Sequence, residues 1–172
     1  MKKLILTLIV CMPLVLYGQS NFQTDLAAMI KMNSEKVISL AEAIPADHYD
    51  WSPAEGVRDV EGVVVHIIGA NYFFPGMAGA APPDGVDPRN IANTVKGKEA
   101  SIKALKDSYE YLMSAISKVP DDKLTEEIDF FGTKITIRGA LMLAYGHCEE
   151  HMGQLIAYAR SNDIVPPWSQ SE

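Results

Sequence analysis

From residue 22 to 44, apolar side chains recur at Phe22, Leu26, Met29, Ile30, Val37, Leu40, Ala41 and Ile44, the three-and-four spacing of one buried helical stripe. Pro45 ends the stretch, because proline cannot extend the hydrogen-bond ladder and pushes the residue before it toward extended backbone. Asp47, Asp50, Ser52, Pro53 and Gly56 then supply turns, with Tyr49 and Trp51 placed to pin the loop to a core. Asp59 is an N-cap for a second helix over 60–77, closing near Pro75 and Gly76. Residues 80–93 form a connector rich in Pro and Gly.

The cleanest stripe lies in 94–119, where Ile102, Leu105, Tyr109, Leu112, Ile116 and Val119 mark about five helical turns before Pro120. Between 124 and 138 the period changes to alternation. Ile128, Phe130, Ile135 and Ile137 flank Phe131-Gly132-Thr133-Lys134, which predicts a short hairpin or extended crossover bending at Gly132. Helical order returns over 139–160, and the tail with Pro166, Pro167 and Trp168 packs on the surface or frays. An α/β sheet lacks the strands. The predicted fold is all-α: a four-helix bundle with non-simple connectivity and a hairpin-like crossover before its last helix.

The first twenty residues follow different rules. Lys2 and Lys3 precede an apolar run over 4–17 broken only by Thr7 and Pro13, with Gln19, Ser20 and Asn21 directly after it. The run is shorter than the roughly 20 residues a bilayer crossing needs and reads as a signal peptide. Cleavage after Ser20 or after Gly18 fits equally. The mature domain is then 21–172, periplasmic or secreted. Cys11 lies inside the apolar run behind Val10, an unsuitable residue for lipoprotein processing. Only Cys148 survives processing, so no intramolecular disulfide is available.

Composition narrows the partners. At 172 residues, 48% apolar and 22% charged, the chain can bury one core without covalent staples. Its formal charge of −7 repels phosphate backbones, so nucleic acid is not an expected partner. Apolar positions near Phe73, Phe74 and Met77 are expected at the surface, where they would serve a homodimer.

Candidate chemistry rests on three of the four histidines. His147 and His151 stand four apart on the last helix, about 40° apart in azimuth and ~6 Å along the axis, so both can reach one ion. His66 interrupts the apolar run Val63, Val64, Val65, Ile67, Ile68, where an aliphatic residue would suit a core better. An isolated pair recurs by accident and a lone buried histidine is more often satisfied by a hydrogen bond. Facing helices can nevertheless unite all three in a site with open positions for water or substrate.

Tyr49-Asp50-Trp51-Ser52-Pro53, Val57-Arg58-Asp59, Val65-His66-Ile67 through Asn71-Tyr72-Phe73, and His147 to His151 followed by Gly153-Gln154-Leu155 together resemble the DinB-like family. The resemblance implies a four-helix bundle with a divalent ion, commonly zinc or nickel, held by His66, His147 and His151. Some members of that family transfer low-molecular-weight thiols such as bacillithiol or mycothiol, others isomerise maleylpyruvate, and others have no assigned activity. A signal peptide departs from the thiol transferases, whose cosubstrate is cytosolic.

Around these ligands, Asn71, Gln154 and Tyr158 are candidates to orient imidazoles or close the pocket, with core packing as the alternative for each. Glu150 is a candidate base, and His147-Cys148-Glu149-Glu150-His151 also matches the inverted zinc-peptidase string. Only twenty-one residues follow His151, too few for the distant acidic ligand of such peptidases. Cys148 is turned ~100° from His147 and is expected to be a buried, inert thiol. His48, beside Asp47 in the loop, is expected to be solvated. The functional expectation is an exported metal-dependent hydrolase or thiol transferase in which the ion lowers the pKa of a bound water or thiol. The alternative is an exported bundle that binds a metal or small ligand without turnover.

Overall fold

A computed structural model describes residues 21–170; the proposed signal peptide, residues 1–20, lies outside the described residues. Four long helices carry the fold: α1 (Phe22–Ala43), α2 (Val60–Met77), α4 (Lys98–Ser117) and α5 (Ile137–Ser161). A four-residue helix, α3 (Ile91–Thr94), precedes α4, and an antiparallel hairpin, β1 (Glu127–Phe130) and β2 (Thr133–Thr136), precedes α5. No helix among the described residues is long and apolar enough to cross a membrane.

Local chemistry sets the helix ends. Asn21, Asp59 and Thr136 each accept a hydrogen bond from the backbone N–H three residues on, at 2.9, 2.7 and 3.1 Å, satisfying first-turn donors of α1, α2 and α5. Ile44 is extended ahead of Pro45. At the far end of α1, the ammonium of Lys98 donates to the carbonyls of Glu42 and Ile44 at 2.7 and 2.8 Å, so a residue of α4 closes a helix it does not belong to.

The long helices form a ring in which neighbours in space are mostly not neighbours in sequence. α1 packs on α4 and α5, and α2 packs on the same two, so α1 lies diagonal to α2 and α4 diagonal to α5. This is the non-simple connectivity expected. Ile30, Val37, Leu40, Val63, Ile67, Leu105, Leu112, Leu141 and Leu155 fill the centre, all fully buried. Tyr109, also buried, donates to Asn33 Oδ1 at 3.2 Å, which keeps its hydroxyl satisfied inside the core.

Three local expectations need correction. The helix expected from residue 94 begins at Lys98, because Gly97 takes φ +80° and its N–H turns to the Glu61 carboxylate. Thr94, the expected start, is instead the last residue of α3. Ile137, read as the end of the alternating segment, is the first residue of α5, since Thr136 caps the helix there. Helix α2 keeps its expected bounds, with Pro75 inside its last turn. Phe74 is buried, leaving Phe73 as the exposed aromatic of that turn. The hairpin itself is as expected, with Ile128 opposite Ile135 and the chain reversing at Phe131-Gly132. The tail packs on α1, where the Lys36 ammonium lies 5.8 Å from the Trp168 ring.

Candidate metal centre

His66 sits mid-way along α2, and His147 and His151 occupy successive turns of α5, the helix packed against it. Val63, Val64, Ile67 and Ile68 are buried around His66, while its own ring is half-buried and faces the gap between the two helices. The three rings meet there with centroids 4.3 to 4.9 Å apart. One ring nitrogen from each lies within 4.8 Å of the others, and His66 Nε2 is 3.0 Å from His147 Nε2.

A chain of hydrogen bonds fixes the tautomer of the neutral His151 ring. Tyr158 lies 3.0 Å from the backbone carbonyl of Arg58, which can only accept, so the single phenolic proton is donated there. Its oxygen must then accept from Gln154 Nε2, at 2.8 Å, which turns Gln154 Oε1 toward His151. Oε1 accepts from His151 Nδ1 at 2.8 Å. The proton therefore sits on Nδ1, and the Nε2 lone pair is left for a ligand. The Trp51 ring meets the Tyr158 ring edge-on at 5.3 Å, so the loop expected to be pinned by aromatics supports this relay. The loop also returns to the backbone of α2, where Val60 and Glu61 donate to the Trp51 and Tyr49 carbonyls.

Burial keeps the other two imidazoles neutral. It lowers the His147 pKa from 6.5 to about 4, with the nearby His151, His66 and Arg58 adding to the effect. Burial, followed by the nearby Arg58 and His151, lowers His66, while the charge of Glu150 opposes them. Neutral imidazole is the form that binds a metal. The geometry fits an ion as well: at nitrogen distances of about 2.0–2.1 Å, two ligands of a tetrahedral centre stand about 3.3 Å apart, close to the observed 3.0 Å. His147 Nδ1 is buried without a hydrogen-bond partner among the described residues. The hydrogen bond between the two Nε2 atoms thus leaves this ring incompletely satisfied whichever nitrogen holds the proton.

Other sequence candidates fall in different places. Gln154 and Tyr158 are in the relay. Asn71 points elsewhere: it donates to Ser108 Oγ at 3.0 Å and accepts from the Cys148 thiol at 3.7 Å, inside the core between α2, α4 and α5. Glu150 is exposed, although its charge is felt at His66. Burial pushes the Cys148 thiol up to about 12, the state of an inert packing residue. His48 contacts Asp47 at 3.3 Å on the loop.

A cavity of about 690 Å³ opens beside His66 and His147 and is walled by Phe73, Phe74, Phe130 and Phe131. Arg58 and Arg89 also line it. The sequence pattern assigns neither arginine a role. Arg58 lies in the Val57-Arg58-Asp59 string directly before the α2 cap, whereas Arg89 stands in an irregular connector without a periodic signal.

A family model for the DinB superfamily matches residues 29–155, a span that holds all three histidines and Gln154. The chain belongs to the DinB superfamily. It is 32% identical over 127 residues to the uncharacterized protein YjoA of Bacillus subtilis (strain 168), covering 70% of this chain and 78% of that protein. The crystal structure of YjoA, a DinB-like protein, superposes with a TM-score of 0.66 at 26% identity, covering 82% of this chain and 93% of that one. A DinB-like protein from Bacillus cereus ATCC 10987 gives the same TM-score at 18% identity, covering 83% and 93%; that likeness concerns the fold alone. The DinB bundle described here thus carries a cluster of three histidines able to hold a metal ion.

Proposed function

We propose that this DinB-superfamily chain binds one divalent ion through His66, His147 and His151 and uses it in an exported enzyme of hydrolase or thiol-transferase type acting on a small molecule. The carrying observation is the convergence of three imidazoles in which Gln154 directs the Nε2 lone pair of His151 away from its own hydrogen bond. Zinc suits such a donor set, and nickel is compatible.

Two features favour turnover over a purely structural ion. No fourth His, Cys, Asp or Glu joins the cluster among the described residues, and the cavity reaches His66 and His147 from one side. A structural site would close its coordination with protein. When bound, the ion supplies Lewis acidity at the floor of the cavity. The chain's own residues supply the remainder: Gln154 and Tyr158 hold one ligand ring in register, the phenylalanines give one wall an apolar face, and Arg58 brings positive charge close to the imidazoles. Export is supported by the lysine-led apolar segment over 1–20.

Elemental analysis tests the reading. The purified protein is expected to hold or take up about one zinc or nickel per chain, and His151→Ala to lose it while remaining helical by circular dichroism. Failure to take up either ion removes the proposal. Screening the loaded protein for ester and amide hydrolysis and for thiol transfer then tests catalysis. N-terminal sequencing of protein recovered from the cell envelope or medium tests export, with Gln19 or Asn21 expected as the first residue.

A further inference from the structure

The hairpin ahead of α5 is built against local preference. Its two-residue turn, Phe131-Gly132, has positive φ at both positions, +51° and +85°. Such a turn favours Asn or Asp followed by Gly, and a bulky side chain at its first position is disfavoured. Phe131 is also 83% exposed, so burial in the core does not repay its placement there. What the position does achieve is contact across the mouth of the cavity. The Phe131 ring stacks on Phe73 of α2 at 6.2 Å, and Phe130 stacks on Phe74 at 6.4 Å. Phe74 in turn meets the His147 ring at 5.7 Å. A continuous aromatic wall therefore runs from the hairpin tip to the imidazoles.

Charge is distributed just as unevenly. The chain has twenty-two acidic residues and only four arginines, yet two of those arginines and no carboxylate line the cavity. Among the described residues neither guanidinium has an ion-pair or hydrogen-bond partner, although exposed Lys31, Lys103 and Lys106 each pair with a carboxylate. Arg58 stands near enough to oppose protonation of His66 and His147. Three neutral imidazoles would leave a divalent ion's charge uncompensated, adding to the same field.

We propose that the cavity takes a small organic anion with an aromatic body, its ring against the wall of Phe73, Phe74, Phe130 and Phe131 and its negative group toward Arg58 and Arg89, with Phe131 a specificity-determining residue. The volume is of the size that holds a metabolite or drug-sized molecule, aromatic faces favour ring stacking, and an unpaired guanidinium is suited to bidentate capture of a carboxylate or phosphate. The proposal rests on the metal-site reading only for which end of the ligand approaches the imidazoles. The wall and the arginines act with or without an ion.

Titration calorimetry on the chelator-treated protein with 2-naphthoate and its neutral analogue 2-naphthamide tests it. 2-Naphthoate is expected to bind about tenfold tighter or better, a difference of one charge-assisted contact, and the double substitution Arg58→Gln with Arg89→Gln to abolish the preference. Phe131→Asn is expected to weaken both ligands several-fold while leaving the unfolding midpoint unchanged or raised, because Asn-Gly suits the turn. A structural role for Phe131 would lower that midpoint. Equal affinity for the two ligands, no binding of either, or a Phe131→Asn protein that binds normally overturns the proposal. So does naphthoate binding that requires zinc and survives both arginine substitutions. Dimerisation by sedimentation that Phe131→Asn abolishes, without naphthoate binding, would assign the wall to a second copy and likewise overturn it. Zinc uptake measured on the same samples is a separate result, so loss of the metal reading leaves the anion test intact.

Discussion

Replacing Gln154 with Leu isolates the tautomer relay from the ligands themselves. The substitution removes the acceptor of His151 Nδ1–H and leaves Tyr158 donating to the Arg58 carbonyl. His151 is buried, with 7% of its surface exposed, so the orphaned donor costs about 1–3 kcal/mol unless the ring changes tautomer. The change of tautomer moves the proton onto Nε2, the nitrogen needed for coordination. Either route weakens the site. Loss of a supporting partner of this kind lowers metal affinity by about 10- to 100-fold, equivalent to about 1.4–2.7 kcal/mol. Competition for zinc against a chromophoric chelator at pH 7.5 reads the change directly. Gln154→Glu retains an acceptor and is expected to bind at least as tightly as the parent. Tyr158→Phe, which frees the amide to flip without removing it, is expected to show a smaller loss than Gln154→Leu. Zinc affinity of Gln154→Leu within twofold of the parent, while His151→Ala loses binding, would refute the argument that the relay sets the ring.

Metal-free protein is expected to lose stability as pH falls below 6.5. Burial lowers the folded His147 pKa to about 4, so between those values the unfolded chain binds the extra proton and stability rises with pH. At face value the loss between pH 8 and pH 5 is about 2 kcal/mol, and about 1 kcal/mol after allowance for solvent screening of a half-exposed ring. Urea unfolding of the parent and of His147→Gln measures it, and an identical pH slope in both would contradict the assignment. Cys148 is expected to resist a thiol reagent in the native state and to react once unfolded, since its sulfur is buried and its pKa raised to about 12; rapid native labelling would oppose this. Asp59→Ala removes the bond to the Gly62 N–H and is expected to cost about 1 kcal/mol in urea unfolding; no change would mean that the N-terminus of α2 is held by tertiary packing alone.

The helices were legible because each long stripe meets one core and a proline or cap marks several of its ends. His66 was legible for the opposite reason, as a polar residue in an apolar run that turned out to face a cavity. The break before α4 left no trace in the pattern, since a positive φ at Gly97 interrupts the backbone without altering the apolar spacing. Asn71 illustrates a limit of counting along a helix. Five positions from His66 place it about 140° around the axis, toward Ser108 on α4. Gln154, three positions from His151, is turned only about 60° and stays within reach. Phe130 and Phe131 read as hairpin residues because their shared wall with α2 depends on a contact more than fifty residues away in the chain. Arg58 and Arg89 became conspicuous only through the company they keep, in a lining without carboxylates.

The diagonal placement of α1 and α2, and of α4 and α5, has a bearing on how the molecule is assembled. Neither pair can shelter its apolar stripe as a self-contained helical hairpin, leaving α2 with α4 as the long-helix pair that can dock across a single connection. A nascent chain halted before α5 would own one imidazole of the three and would leave both α1 and α2 without a full set of neighbours. Completion of the core and completion of the histidine cluster are therefore the same late event, and a chain cut short upstream of residue 137 should be cleared by proteolysis instead of persisting as a partly working fragment.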